Sequence, residues 1–397
     1  MDRLYKTYGR LLAETDLSFS RYLYDKIDWD NRLIVVKGAK GVGKTTMLLQ
    51  HILRSFKDKQ KALYASLDHI WFANHSVLDL AEYHYTHGGT HLFLDEVHKY
   101  KTWQQEIKNI YDSYPDLHIV VTGSSMLRPE ESLVGDLSRR HRQYTLEGLS
   151  FREYLELEKR LAIPSMTLEQ LLSSHERMSA DFSAETKMLP LFTEYLHHGY
   201  YPFYRESGLS YYKAIQQIVS NIIDTDLPAV EKMEYVTATK MKRLFVLLSQ
   251  MVPYTLNLTN LGQQIEAPRQ AVLRMCHLLQ QAGLLNLLYN KKSGLSQLGK
   301  PEKLYMENTN LLYAMSAGAE IGTVRETFFV NQLKTSHELL FSGTGDFLVD
   351  DTITFEVGGR NKNFDQIKDI PNSYLAVDDT EIGYRNRIPL WMFGLLY

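Results

Sequence analysis

Short apolar runs alternate with helical patterns along the first 150 residues. The apolar runs have the length of buried strands and lie at 33–36, 62–67, 91–94, 117–122 and 143–146. Helical patterns lie between them, at 44–56, 77–87 and 103–111. Strands that alternate with helices are typical of a parallel sheet with helices on both faces. The hydrophobic pattern therefore predicts an α/β first domain over residues 1–150.

The pattern changes after residue 150. Residues 151–235 are helical in pattern and predict a helical lid region. Residues 236–305 contain a helix at 258–265, a turn, a second helix at 269–282 and a strand at 283–289. That order of elements is typical of a winged helix-turn-helix. Residues 306–397 turn to short strands and predict a small α/β domain at the end of the chain.

Composition narrows the class of protein. A chain of 397 residues is too long for one ordinary core and predicts two to three domains. The net charge of −3 argues against a generally basic coat for nucleic acid, although a local basic patch stays open. Cys276 is the single cysteine, so no intrachain disulfide or multi-cysteine metal site can form. No apolar run is long enough for a membrane span or a signal peptide, and we expect a cytoplasmic protein without a membrane partner.

Residues 38–45, which follow the first predicted strand directly, form a complete phosphate-binding motif. Glycines let the backbone curl so that its N–H groups point at phosphate, Lys44 neutralises phosphate charge, and the Thr45 hydroxyl can bind Mg²⁺. The helix that begins near Lys44 directs its N-terminus at the same anion. The predicted nucleotide-binding residues are Gly38, Gly41, Val42, Gly43, Lys44, Thr45 and Thr46. ATP is the expected nucleotide, because no Asn-Lys-x-Asp guanine-reading element occurs in a suitable place.

Two acids follow the third predicted strand. Asp95 and Glu96 come at its carboxyl end, where the ligands of open α/β sheets bind. We expect Asp95 to hold Mg²⁺ together with Thr45, and Glu96 to polarise the water that attacks the γ-phosphate. An acidic turn exposed to solvent is the simpler alternative for an isolated Asp-Glu pair.

Hydroxyl and guanidinium groups follow next. The fourth predicted strand ends in Thr122, which is a candidate to hydrogen-bond the attacking water or the γ-phosphate, although a serine-rich turn is the alternative. Arg140, and after it Arg139, are candidates to meet the charge that develops in phosphoryl transfer, often across a subunit boundary. A solvated basic surface is the alternative for these arginines.

These motifs together resemble one family, the prokaryotic AAA-type (AAA+) ATPases of largely unassigned role that are related to the archaeal ATPases. The resemblance rests on the phosphate loop, on Leu-Phe-Leu-Asp-Glu-Val-His, on Val-Thr-Gly-Ser-Ser and on the arginines before Leu-Ser-Phe-Arg-Glu-Tyr. It implies the Walker roles for Lys44, Thr45, Asp95 and Glu96, and the sensor role for Thr122. A segment at 194–202 is similar to the "YL…GG.P" segment of the family, with Tyr200 in place of the second glycine.

The terminal segment resembles the restriction-endonuclease-like, PD-(D/E)xK type of domain that often ends this family. Glu326, Asp346 and Glu356 stand in the order of its acidic residues. The motif needs a lysine two residues after the last acid, and Gly358 occupies that position. Arg360 and Lys362 keep even spacing from Glu356 and are candidates to replace it. Both an active nuclease and an inactive nuclease-like fold used for binding or assembly stay open.

The sequence thus predicts a Mg²⁺-dependent ATPase of the AAA+ type that couples its nucleotide state to rearrangement of domains or subunits. We expect a homo-oligomer, because ATP in such proteins is hydrolysed between subunits. The first alternative is a slow nucleotide-gated switch or scaffold that recruits DNA or protein, and the second is an ATP-regulated nuclease. The segment 269–274 would enter a DNA groove if the winged helix binds DNA, and would otherwise contact protein.

Overall fold

The computed structural model describes residues 1–125, 140–231, 233–251, 254–255, 257–291, 299–316 and 318–397. It divides into two compact units, Met1–Gly148 and Leu149–Tyr397. Within the described ranges, no helix is both long enough and apolar enough to cross a membrane.

A parallel sheet forms the centre of the first unit. Its strands are β1 (Leu33–Lys37), β2 (Ala62–Ser66), β3 (His91–Asp95), β4 (His118–Gly123) and β5 (Arg142–Thr145). They lie in the order β2-β3-β4-β1-β5 and all neighbours are parallel. The predicted α/β sheet is confirmed, and each strand lies within about two residues of its predicted bounds at either end. Strands such as β1 are buried over most of their length, because helices cover both faces of a parallel sheet.

Helices connect these strands. They are α1 (Asp2–Glu14), α2 (Lys44–Ser55), α3 (Val77–Thr86) and α4 (Trp103–Ser113), with 3₁₀ turns at Tyr24–Lys26, Lys59–Lys61, Ile70–Ala73 and Val97–Lys99. Because β4 pairs with both β1 and β3, the carboxyl ends of these three strands meet at one edge of the sheet. The loop from β1 to α2 starts at that edge, and so does the turn at Val97–Lys99, which follows β3. This topology brings the predicted nucleotide site together.

The first part of the second unit is helical, as predicted. Its elements are α5 (Phe151–Leu157), α6 (Leu168–Glu185), α7 (Met188–Glu194), α8 (Tyr204–Ser207), α9 (Tyr211–Asn221), α10 (Leu227–Glu231) and α11 (Tyr235–Met251), with π-helical turns at Tyr195–Gly199 and Ile222–Asp226. A π-helical turn changes the hydrogen-bond partners of the backbone carbonyl groups. At the first of these turns, the buried side chain of Asn310 supplies hydrogen-bond donors. Its amide donates to the carbonyls of Tyr195 and Leu196 at 3.2 and 2.9 Å.

Two helices and a strand follow in the predicted order. They are α12 (Leu258–Ile265), α13 (Arg269–Gln281) and β7 (Leu285–Leu288). Glu266 ends α12 in the left-handed region at φ 55°, which makes the sharp turn into α13. The strand β8 (Lys303–Met306) pairs antiparallel with β7 and with the short β6 (Tyr254–Thr255). The sequence pattern did not predict β6 or β8.

The chain then forms a mixed sheet. After α14 (Thr309–Met315) and α15 (Ile321–Leu333) come β9 (Leu339–Phe341), β10 (Phe347–Val349), β11 (Ile353–Gly358), β12 (Ser373–Val377), β13 (Arg387–Pro389) and a 3₁₀ helix at Leu390–Leu395. The order is β13-β12-β11-β10-β9, antiparallel from β9 to β11 and parallel from β11 to β13. The short strands predicted for residues 306–397 are present in this sheet. The short edge strands β9 and β13 carry too weak a pattern to be predicted.

Candidate nucleotide-binding site

The loop between β1 and α2 depends on its glycines. Gly41 and Gly43 have φ values of 87° and 97°, in the left-handed region that glycine enters without a steric penalty. A Cβ at Gly38 would lie 2.3 Å from the carbonyl oxygen of Leu146, which excludes any side chain there. Val42, between the two left-handed glycines, is fully buried. The loop therefore leads directly into the N-terminus of α2, where free backbone N–H groups favour an anion.

Lys44 and Thr45 open that helix. The Lys44 ammonium donates to the carbonyls of Gly38 and Ala39 at 2.8 and 3.0 Å, so it lies across the loop. The Thr45 hydroxyl donates to Asp95 Oδ2 at 2.5 Å. Thr46 is exposed in the first turn. The loop and the end of β3 are thus joined by a direct contact between the two residues that were predicted to hold Mg²⁺.

Asp95 is a buried carboxylate that accepts hydrogen bonds from three hydroxyl groups. Besides Thr45, Tyr64 Oη donates to Asp95 Oδ2 at 2.7 Å, and Thr122 Oγ1 donates to Asp95 Oδ1. Asp95 is 2% exposed. Hydrogen bonds to an ionised carboxylate are the stronger kind, which explains how the side chain is held in one orientation. Sequence reasoning missed Tyr64, whose only signal was its place on the strand next to β3.

Glu96 follows in a strained backbone conformation. Its φ of 55° and ψ of 39° place a residue with a side chain in the left-handed region, and such residues often mark functional sites. Its N–H donates to Thr122 Oγ1 at 3.4 Å. Burial raises the pKa of the Glu96 carboxyl, while the charge of Lys44 acts in the opposite direction. A raised pKa makes this carboxylate a better proton acceptor.

His98 adds a contact that the sequence did not predict. Its Nε2 lies 3.5 Å from Glu96 Oε2, and its Nδ1 accepts from the N–H of Ser124 at 3.4 Å. Because Nδ1 accepts, the proton of a neutral ring is on Nε2, the atom that faces Glu96. The only sequence signal was the histidine at the end of the Leu-Phe-Leu-Asp-Glu-Val-His run. His98 therefore connects Glu96 to the end of β4.

The remaining predicted residues differ in their placement. Thr122 is fully buried, and its hydroxyl contacts Asp95 and Glu96. The sequence predicts that this hydroxyl contacts the attacking water or the γ-phosphate, whereas in the structure it orients the two acids. Arg140 is exposed just before β5. Arg139 lies outside the described residues.

The side chains present fit a nucleotide with Mg²⁺. In the described part of the chain, no group of three or more His, Cys, Asp and Glu side chains is arranged to hold a metal ion. Mg²⁺ needs no such group, because it typically takes one or two protein oxygens and completes its shell with phosphate and water. Thr45 and Asp95 bring two side-chain oxygens next to each other, and these residues would hold the ion. The Lys44 ammonium supplies the charge that phosphate requires.

A second acidic cluster, in the last part of the chain, is neutralised by lysines. Lys303 Nζ lies 3.6 Å from Glu326 Oε2 and 3.9 Å from Asp346 Oδ1. Tyr305 donates to Glu326 Oε2 at 2.6 Å. Burial, and after it the charge of Asp346, raise the pKa of Glu326. An ammonium group thus stands between two of the three acids that were predicted to bind a metal.

The third acid of this cluster is paired as well. Lys362 Nζ lies 2.5 Å from Glu356 Oε1, and the Glu356 side chain is 1% exposed. The Lys362 side chain fills the space beside Gly358, where a Cβ would lie 2.7 Å from Lys362 Cγ. A turn brings Lys362 to this position, and in that turn the Lys362 N–H donates to the Gly359 carbonyl. The sequence had suggested the alternation of side chains along a continuous strand instead. Arg360 is exposed.

Comparison with known protein families gives a match for most of the first unit. Residues 30–155 match the AAA domain family. This stretch, which contains the phosphate loop and β1 to β5, is therefore similar to AAA domains. Residues 189–321 match a domain of unknown function, DUF8612.

Individual relatives add little about activity. The uncharacterized protein MJ1637 of Methanocaldococcus jannaschii is 27% identical over 322 residues, which cover 74% of this chain and 67% of that protein. A katanin structure is similar to 40% of this chain at 13% identity and a TM-score of 0.26, over 56% of its own length. The Saccharomyces cerevisiae Hsp104–ADP complex is similar to 69% of this chain at 14% identity and a TM-score of 0.29, over 41% of its own length. This chain thus spans only about half of either solved structure.

Proposed function

We propose that the protein is a Mg²⁺-dependent ATPase that couples its nucleotide state to rearrangement of domains or subunits. The observation that carries this proposal is the 2.5 Å contact between Thr45 and Asp95, which joins the phosphate loop to the acidic end of β3. The buried Lys44 ammonium and the raised pKa of Glu96 support it. The match of residues 30–155 to the AAA domain supports ATP as the nucleotide.

Each residue then has a defined task. The loop amides and Lys44 bind the phosphates, and Thr45 and Asp95 would hold Mg²⁺, which neutralises phosphate charge when bound. Glu96 orients the attacking water and accepts its proton, since its partly buried carboxyl has a raised pKa and is subject to the charge of Lys44 in the loop. Thr122 orients Asp95 and Glu96 together through one hydroxyl group.

We further propose that the active form is a homo-oligomer. The exposed position of Arg140, just before β5, supports this proposal. Such an arginine stabilises the charge that develops on the transferred phosphoryl group. The mass of the purified protein with and without a non-hydrolysable ATP analogue measures this assembly directly.

The alternative is a slow nucleotide-gated scaffold that recruits DNA or protein. The helices α12 and α13, with β7, support a winged helix at 236–305. Arg274 on α13 lies 3.4 Å from Glu231, a contact that partly neutralises the helix and favours a protein partner over DNA. For the domain at 306–397 we propose a nuclease-like fold without activity, because Gly358 occupies the lysine position of the motif and the Lys303 ammonium lies between Glu326 and Asp346, where a metal ion would bind.

Two substitutions test the ATPase. Lys44→Ala should abolish binding of a fluorescent ATP analogue, because it removes the ammonium that lies over the loop. Glu96→Gln should keep that binding and lose at least about 100-fold in turnover, the contribution typical of a general base. Wild-type turnover in Glu96→Gln would reject the role of Glu96. Turnover with and without duplex DNA then separates a DNA-coupled enzyme, which is stimulated, from a slow switch.

A further inference from the structure

Arg21 is a buried cation that touches two functional segments of the first unit. It lies in the stretch between α1 and the 3₁₀ turn at Tyr24–Lys26 and is 5% exposed. Its Nη1 donates to the carbonyl of Val42, within the phosphate loop. Its Nη2 donates to the carbonyls of Glu147 and Gly148 at 2.8 and 2.9 Å. One guanidinium group therefore bridges the phosphate loop and the end of the unit.

The contact with Val42 determines the direction of a loop amide. A trans peptide is planar, so the Val42 carbonyl and the Gly43 N–H point in opposite directions within their shared plane. Gly43 has no Cβ and a φ of 97°, so the steric restriction that a side chain would impose on this peptide is missing on the Gly43 side. Arg21 holds the carbonyl on one side and so directs the Gly43 N–H to the other. That N–H is one of the amides predicted to bind phosphate.

The second contact reaches the chain that leaves the unit. Residues 146–148 follow β5 directly, and the unit ends at Gly148. The neighbouring Tyr22 strengthens this attachment, because its hydroxyl donates to the Thr145 carbonyl at 3.1 Å and accepts from Glu147 N–H at 3.4 Å. A rotation of the Val42–Gly43 peptide would therefore pull on a guanidinium that also holds residues 147–148.

We propose that Arg21 is a positioning residue that presets the phosphate loop for nucleotide and couples its state to residues 147–148. The proposal rests on the proposed nucleotide binding. It predicts that bound nucleotide and an ordered 147–148 segment stabilise each other, since both favour the same orientation of the Val42–Gly43 peptide. No direct contact between Arg21 and nucleotide is required.

The test compares Arg21→Ala with Arg32→Ala in the full chain. Arg32 is a matched control, because its guanidinium also donates to two backbone carbonyls, those of Tyr111 and Tyr114, which lie outside the loop. Affinity for a fluorescent ADP analogue with Mg²⁺ should fall about 10- to 100-fold in Arg21→Ala, the loss expected for hydrogen bonds from a charged donor. Arg32→Ala should change it less than about threefold. Free guanidinium at a non-denaturing concentration should restore part of the affinity of Arg21→Ala only.

Amide hydrogen exchange measures the coupling. In the wild type, the analogue should slow exchange at 38–46 and also at 145–148, and in Arg21→Ala only the first effect should remain. Equal affinity losses in the two variants, or no effect of the analogue at 145–148 in the wild type, would overturn the proposal. A wild type that does not bind the analogue contradicts the proposed function itself, which is a separate outcome. If Arg21→Ala does not fold, Arg21→Lys keeps the charge but loses the fork that joins both segments, and should show the same loss of coupling.

Discussion

The hydroxyl of Thr122 offers a quantitative test of how the site is held. Thr122 is fully buried, donates to Asp95 Oδ1 and accepts from Glu96 N–H. Thr122→Val keeps the shape of the side chain and removes both contacts. Because the lost bond is to a carboxylate, we expect the free energy of unfolding of the first unit to fall by about 1.5–3 kcal/mol.

The matched variant is Thr122→Ser, which keeps the hydroxyl and loses one methyl group. Its expected cost is about 0.8–1.5 kcal/mol, from lost burial and a small cavity. The two explanations therefore predict opposite orders: Val is the less stable variant if the hydrogen bonds matter, and Ser is the less stable one if only packing matters.

Urea unfolding followed by tryptophan fluorescence measures this order, since three of the four tryptophans, Trp29, Trp71 and Trp103, lie in the first unit. Turnover provides a second measurement. Thr122→Val should need more Mg²⁺ for half-maximal activity than the wild type, because Asp95 loses a donor that orients it, whereas Thr122→Ser should not. A Ser variant that is less stable than the Val variant would refute the reasoning.

Two further predictions concern buried charge. Burial, together with the nearby His91, lowers the pKa of His51 to about 4. Between pH 4 and 6.5, His51 is therefore protonated in the unfolded chain and neutral in the folded one. The stability that depends on a neutral His51 is thus fully present above pH 6.5, and the free energy of unfolding should decrease by about 2 kcal/mol on acidification to pH 5. In His51→Gln, the midpoint of urea unfolding should depend less on pH. In the second unit, Lys362→Met should cost about 3 kcal/mol in thermal unfolding, because it leaves Glu356 buried and unpaired, and adding Glu356→Gln should recover most of the loss. The wild type should leave plasmid DNA intact in Mn²⁺, and cleavage abolished by Glu356→Ala would contradict the inactive assignment.

Much of the first unit follows from local sequence. The runs that became β1 to β4 are short and largely apolar because both faces of a parallel sheet are covered, and this pattern is visible in a few consecutive residues. The glycines of the phosphate loop are equally local, since only a residue without a Cβ enters φ values of 87° and 97°, as at Gly41 and Gly43, without a steric penalty. Asp95 and Glu96 could be placed near Lys44 because the carboxyl ends of parallel strands share an edge.

The roles of other residues depend on contacts between distant parts of the chain. Tyr64 meets Asp95 only because β2 pairs with β3 in a particular register, and Arg21 meets Val42 and Gly148 only because the first segment packs on the sheet. Lys362 reaches Glu356 through a turn that strand periodicity does not describe. By itself the sequence determined the strands, the loop and the two acids, since these depend on short-range sterics and burial. Only the tertiary structure decided which hydroxyl, imidazole and guanidinium groups complete the site, because register and packing join residues that no local pattern relates.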